Sequence, residues 1–210
     1  GLNNNVKIAG CFSPLPGSYF KDKSISKKEM IETYLSIGEL QKDDVDFFII
    51  ETMSSIDEAV SAVEALSNFN KKILLCFCLL EGDGTKLFSG EDLSKACDLI
   101  QIDKISGLCL NCSQFEDISI GLDILKKYGL PFGALPNNFQ SVKPLKLGMS
   151  VDNIKKRNDI LIEDFVNYSN IWLKKGCTIL GGCCEITPDY INGLNQFLMK
   201  NKYNKINFFN

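Results

Sequence analysis

A chain of 210 residues that is 45% hydrophobic has room for one sizeable core, so a single domain over residues 1–210 is expected. A net charge of −3 with scattered Lys and Arg leaves no basic stripe for a phosphate backbone, which argues against nucleic acid as a partner. No apolar run approaches the roughly 18–20 residues of a membrane span, and the polar start Gly1-Leu2-Asn3-Asn4-Asn5 lacks a signal-peptide layout, so no membrane association is expected either.

Nine cysteines and no histidine form an informative imbalance. An odd number of thiols spread along the chain does not resemble the even disulfide framework of a small secreted scaffold, so a soluble cytoplasmic protein with free thiols is expected. The lack of imidazole removes Ser-His-Asp triads, Cys-His dyads and histidine zinc sites together. Chemistry must rest on carboxylates, hydroxyls, amines or sulfur.

In chain order, residues 6–10 read as a short strand and Cys11 to Gly17 as a loop punctuated by Pro and Gly. A helix follows over about residues 24–40, with Met30, Ile31, Tyr34 and Ile37 at helical spacing behind serines that can cap. Residues 45–50 form a buried strand that ends in Glu51-Thr52-Met53. Ile56, Val60, Val63 and Leu66 share a helix face, and 73–80 is a continuous apolar strand ending in the turn Glu81-Gly82-Asp83-Gly84. Leu93, Ala96 and Ile100 mark a helix, 105–110 a strand leading into Asn111-Cys112-Ser113, and Ile118, Leu122 and Leu125 a helix closed by Gly129. A short strand over 131–135 runs into Pro136-Asn137-Asn138 and a long weakly patterned loop, about 137–158. Leu161, Phe165, Tyr168 and Trp172 line a helix stopped by Gly176. The last strand is 177–180, the last helix carries Ile191, Leu194 and Leu198, and a frayed tail begins near 201.

Six strands, apolar throughout, alternate with six helices, as parallel strands in α/β proteins do. A doubly wound sheet and a TIM-type barrel both satisfy that pattern.

The chemistry centres on Gly181-Gly182-Cys183-Cys184 behind the last strand. Adjacent cysteines bond each other only with strain, but they can grip one soft metal together. The two glycines let the backbone bend sharply and approach a ligand, and Thr187-Pro188 opens the next helix. A catalytic zinc keeps three protein ligands and one open position. The third thiolate is expected at another strand's carboxyl end, where the reading places Cys112. Cys76, Cys78, Cys97, Cys109 and Cys177 read as small buried hydrophobes.

Gly181-Gly182-Cys183-Cys184 with Thr187-Pro188, taken with Gly107-Leu108-Cys109-Leu110-Asn111-Cys112, resembles the homocysteine S-methyltransferase family over nearly the whole chain. Ile8-Ala9-Gly10-Cys11-Phe12-Ser13-Pro14 is similar to a family strand that ends in a Gly-Pro loop, with Cys11 and Ser13 replacing a small residue and Gly. Glu51-Thr52 is similar to its Glu-Thr pair, and Leu135-Pro136-Asn137 to its Pro-Asn loop. The resemblance implies a (β/α)8 TIM-type barrel with Zn2+ on Cys112, Cys183 and Cys184 and homocysteine sulfur in the fourth position. It implies methyl transfer from a sulfonium or ammonium donor to give methionine. Glu51 would then pair with the substrate amino group, with Thr52, Asn111 and Asn137 beside ligand or loop. Glu185 and Ile186 depart from the small residues usual after the paired cysteines.

The family's first two strand units, including an Asp-Gly-Gly-like loop, have no counterpart here, so the chain corresponds to strands 3 to 8. Six strands do not close an eight-stranded barrel, and the edges would need cover from a missing N-terminal segment or another chain. Two alternatives go with this reading: a truncated, non-catalytic zinc or thiol protein, and a selenocysteine methyltransferase of the same family.

Overall fold

The computed structural model describes residues 6–15, 19, 25–145 and 149–204; readings that touch residues 1–5, Pro16, Gly17, Ser24, Gly148 and the tail beyond 204 lie outside them. Along the chain run β1 (Ala9–Phe12), α1 (Lys27–Gln41), β2 (Phe47–Met53), α2 (Ile56–Leu66) and β3 (Ile73–Phe77). Then come β4 (Leu79–Leu80), β5 (Asp83–Leu87), α3 (Leu93–Leu99), β6 (Gly107–Asn111) and α4 (Phe115–Leu125). β7 (Phe132–Leu135), α5 (Ile162–Lys175), β8 (Ile179–Leu180) and α6 (Pro188–Lys200) complete the described elements. Among the described residues, no helix is long and apolar enough to cross a membrane.

Strand order separates the two architectures that periodicity left open. Six strands form one parallel sheet in the order β1-β2-β3-β6-β7-β8, each new strand joining on the same side as the one before. A doubly wound fold needs a reversal in that order, and there is none. Uniformly right-handed crossovers then put the connecting helices on one face and leave the other as a barrel interior. The fold is therefore a TIM-type α/β arrangement of which this chain carries six units, with β1 and β8 as its outer strands.

Side-chain alternation divides the strands accordingly. Phe48, Ile50, Leu75, Phe77, Leu108, Leu110 and Ala134 join the main core with helix residues such as Tyr34, Ala59, Ile118 and Trp172. On the lumen side Leu74, Cys76 and Cys109 form a smaller cluster flanked by the partly covered Phe47, Ile49, Leu135 and Ile179. Gly133 belongs to this side, because a Cβ there would lie 2.8 Å from Cys109 Sγ.

Helix ends follow from local chemistry. Ser26 and Glu29 close a capping box on α1, and Gly176 ends α5 at φ 100°. Trp172 of α5 stacks on Phe115 of α4 at 5.9 Å while its Nε1 donates to Ser119 Oγ at 2.8 Å. In α6 the buried face is carried by Tyr190 and Leu194, whereas Ile191, expected there, is 41% exposed. Tyr190 turns inward because its hydroxyl donates to Ile160 O at 2.8 Å.

Two further expectations change. The first strand runs over Ala9–Phe12, so Cys11 sits on the strand and not in the loop after it. Asp46 holds the Ile8 amide at 2.8 Å, and pairing with β2 begins only at Ala9↔Phe47. The apolar run 73–80 is two elements: after Phe77 the chain turns out of the sheet, and Leu79–Leu80 pairs antiparallel with Asp83–Leu87. Glu81-Gly82 is the tight turn of that hairpin, with Gly82 at φ 86°.

Glu58, on α2, is 4% exposed and its Oε1 has no hydrogen-bond partner among the described residues. Burial pushes its carboxyl up to about 7, against hydrogen bonds from Ser55 and the Ser54 backbone and with help from the Glu91 charge. The folded state thus keeps a proton that the unfolded chain releases near the ordinary carboxylate range. Stability falls as pH rises between those two values and stays lower above them. Glu58→Gln is expected to stabilise the protein by roughly 2 kcal/mol at pH 8 and to lose that advantage below pH 4.5. Denaturant midpoints at the two pH values check this; equal midpoint differences at both would refute it.

Candidate metal and substrate site

The carboxyl ends of β6, β7 and β8 bring three sulfurs together. Cys112 is the residue after β6 and takes a left-handed conformation, φ 48°, which turns its side chain out of the strand's alternation. Its amide donates to Leu135 O at 2.9 Å and its carbonyl accepts Asn137 Nδ2 at 2.7 Å. Cys183 N donates to Pro136 O at 2.8 Å, and Asn138 N donates to Cys184 O at 3.0 Å. Pro136-Asn137-Asn138 therefore anchors the backbone of all three cysteines.

The preceding glycines work by size and not by unusual torsions, since neither Gly181 nor Gly182 has positive φ. A Cβ on Gly181 would lie 2.7 Å from Leu135 Cδ2, and one on Gly182 would run into Ile186. Left-handed backbone appears instead at Glu185, φ 64°, whose carboxylate lies 3.9 Å from Lys156 Nζ.

Cys112 Sγ is 3.5 Å from Cys184 Sγ, Cys183 Sγ is 3.9 Å from Cys184 Sγ, and all three lie within 4.8 Å of one another. Sulfurs bound about 2.3 Å from a tetrahedral zinc stand roughly 3.8 Å apart, so the donor set and its spacing fit that ion. Hydrogen-bonding contacts with the Cys112 and Cys183 sulfurs hold the Cys184 thiol down to about 3. Cys183 is raised by its bonds to Cys112 and Cys184. For Cys112 the lowering bond with Cys183 is outweighed by the bond with Cys184 and by burial, and it rises to about 12. One sulfur ionises first and its neighbours donate to it, an arrangement a cation would complete.

Cys112 is 4% exposed, whereas Cys183 and Cys184 are half-buried and give the cluster an open side. Tyr19, Cys78, Phe139 and Val142 wall it, with Phe88, Leu145 and Ile154 packed outside. Tyr19 Oη donates to Cys112 Sγ at 2.7 Å, and its ring meets Phe88 edge-on at 5.4 Å. Burial, then the Cys112 and Cys78 charges, raise the Tyr19 phenol so that it remains a donor. Cys78 is buried as expected of a small hydrophobe, yet it also lies against the site, with Sγ 3.6 Å from Cys112 O. Cys76, Cys97, Cys109 and Cys177 are buried too.

Across the lumen, Glu51 is half-buried near the end of β2 and its Oε1 accepts from Cys11 Sγ at 2.6 Å. Thr52, at φ 61°, donates its amide to Asn111 Oδ1 at 2.8 Å, and Asn111 Nδ2 donates to Thr52 Oγ1 at 2.9 Å. Asn111 is fully buried, so both ends of its amide serve this bridge over the end of β3. Asn137 is likewise 1% exposed, bonding Cys112 O and, through Oδ1, Phe139 N at 3.1 Å. Cys112, Cys183 and Cys184 converge, then, while Asn111 and Asn137 stand behind the site as braces.

Sequence reasoning missed Tyr19, Asn138 and Arg157. Arg157 pins the loop after β7 to α4 with bonds to Gln114 Oε1 at 2.8 Å and to both Glu116 oxygens at 2.9 Å. Gln114 in turn donates to Phe139 O at 2.8 Å. A lone Arg in a long loop carries no spacing signal, whereas Asn138, directly after Asn137, could have been included with it.

The homocysteine S-methyltransferase family profile matches residues 2–198. Among curated relatives, a selenocysteine methyltransferase from Astragalus bisulcatus is 28% identical over 160 residues, 73% of this chain and 45% of that protein. Homocysteine S-methyltransferase 2 from Zea mays is 29% identical over 161 residues, 74% of this chain and 45% of the relative. The chain thus spans about half the length of the curated relatives it matches. The metallated form of the Escherichia coli homocysteine methyltransferase MmuM superposes with a TM-score of 0.69 at 22% identity, over 92% of this chain and 62% of that one.

Proposed function

We propose, since this chain belongs to the homocysteine S-methyltransferase family, that Cys112, Cys183 and Cys184 hold a zinc ion in a protein that transfers a methyl group to homocysteine, giving methionine. The convergence of three sulfurs at zinc spacing carries the reading. Zinc there would supply one thing, keeping a bound thiol ionised near neutral pH. Attack by the homocysteine thiolate would form the new S–CH3 bond as the donor's C–S or C–N bond breaks, with the departing sulfur or nitrogen keeping the electron pair. A sulfonium or quaternary ammonium donor leaves as a neutral molecule, so no general base is needed, in keeping with a chain without histidine.

The chain's own residues would place the reactants. Glu51 offers a negative charge to the substrate ammonium. Thr52 and Asn111 fix that carboxylate's position relative to Cys112, Asn137 fixes the Cys112 backbone, and the Phe139 and Val142 wall limits water around the sulfurs. The proposal applies to the barrel completed by further strands, from a preceding segment or another subunit, in a reducing cytoplasmic setting. A second reading, selenocysteine as acceptor, is favoured by relatives named for that activity and by the similar affinity of such a site for selenolate.

Metal analysis of the purified protein is expected to find one zinc per chain, and a donor screen with homocysteine to yield methionine. Full transfer by metal-free protein would refute the assignment; a strong preference for selenocysteine would select the second reading.

A further inference from the structure

β1 and β2 run in register with Cys11 opposite Ile49. Gly10 and Phe12 of β1 and Phe48 and Ile50 of β2 are buried toward the helices, so by alternation Cys11, Ile49 and Glu51 share the lumen face. Cys11 is exposed there, and its Sγ lies 2.6 Å from Glu51 Oε1. Among the described residues it is the hydrogen-bond partner of that carboxylate, and Oε2 has none. Partial covering by the sheet, followed by the hydrogen bond and charge of Glu51, raises the Cys11 thiol to about 12. At neutral pH it therefore remains S–H and donates.

A glutamate on an open face turns about three side-chain bonds, and a ligand it binds must oppose that freedom. Tethering one oxygen leaves the other aimed in a fixed direction. We infer that Cys11 is a positioning residue for the amino-acid end of the substrate: its thiol holds Glu51 Oε1 so that Oε2 meets the ammonium. This rests on the ammonium role proposed for Glu51, and adds that recognition is shared with a β1 residue that itself touches no substrate.

The test compares two ligands on the zinc-loaded full chain by titration calorimetry: L-homocysteine, and γ-mercaptobutyrate, which keeps the thiol and carboxylate but lacks the amino group. Cys11→Ala is expected to weaken homocysteine about 5-fold, the scale of one ordinary hydrogen bond, since a thiol is a weak donor, while leaving γ-mercaptobutyrate unchanged. Cys11→Ser, which restores a donor, is expected to recover homocysteine binding to within about 2-fold. Equal weakening of both ligands, or of neither, overturns the inference. Glu51→Gln separates the two levels. If it leaves homocysteine affinity intact, the role of Glu51 falls and the inference with it; if it weakens homocysteine and Cys11→Ala does not, the inference alone falls.

Discussion

Cys184→Ala is expected to abolish zinc retention and methyl transfer together, with metal affinity reduced by well over 100-fold. Cys112 Sγ donates to Cys184 Sγ, Cys183 Sγ lies 3.9 Å from it, and these contacts hold the Cys184 thiol below its ordinary range. Alanine leaves two sulfur donors where a three-ligand zinc site needs three. Cys97→Ala, at a buried thiol on the inner face of α3, is the matched control and is expected to keep its zinc. Metal per chain after dialysis, read beside transfer to homocysteine, decides the matter. A Cys184→Ala protein that retained stoichiometric zinc would remove the three-sulfur site.

Asn111→Ala is expected to cost about 2–4 kcal/mol and to loosen the site as well as the fold. The substitution strands the Thr52 amide, 5% exposed, without its acceptor and removes the donor to Thr52 Oγ1. Thr52 also loses the partner that holds it in a left-handed conformation a β-branched residue avoids. Since Glu51 precedes Thr52 and Cys112 follows Asn111, the same bridge sets the spacing between carboxylate and sulfurs. Urea denaturation should show the lower midpoint, and homocysteine affinity should fall more than zinc affinity. A change below 0.5 kcal/mol would mean that the bridge bears little of the structure.

Much of this could be read in the residues. Apolar runs marked the parallel strands, and Gly181-Gly182-Cys183-Cys184 with Asn111-Cys112 marked the sulfurs, because thiol pairs at strand ends have few structural uses. The barrel-type order was legible through the family resemblance alone, since periodicity reports which residues are covered and says nothing of which strand lies beside which. Pro14 just ahead of Cys11 reads as a loop signal, whereas in the structure Asp46 holds Ile8 and pairing with β2 runs through Cys11. The hairpin at Glu81-Gly82 was hidden because Leu79 and Leu80 extend the apolar run of β3 without interruption. Asn111 and Asn137 drew attention as polar residues at strand ends, yet only coordinates show that both amides are taken up by backbone and by Thr52.

β8 is two residues long, paired only at Gly133↔Ile179 and Ala134↔Leu180, yet it carries the cysteine pair. Past it, the peptide groups of Gly181 and Cys183 hang on single bonds to Ala134 O and Pro136 O, with Asn138 N returning one to Cys184 O. So short a splice can unzip while the β3–β6 interior stays closed, and in deuterated solvent the Gly181 and Cys183 amide protons should be replaced well before those of Leu108 and Leu110. The least tethered rung of the sheet thus bears two of its three sulfurs, leaving that end free to breathe around an arriving thiol.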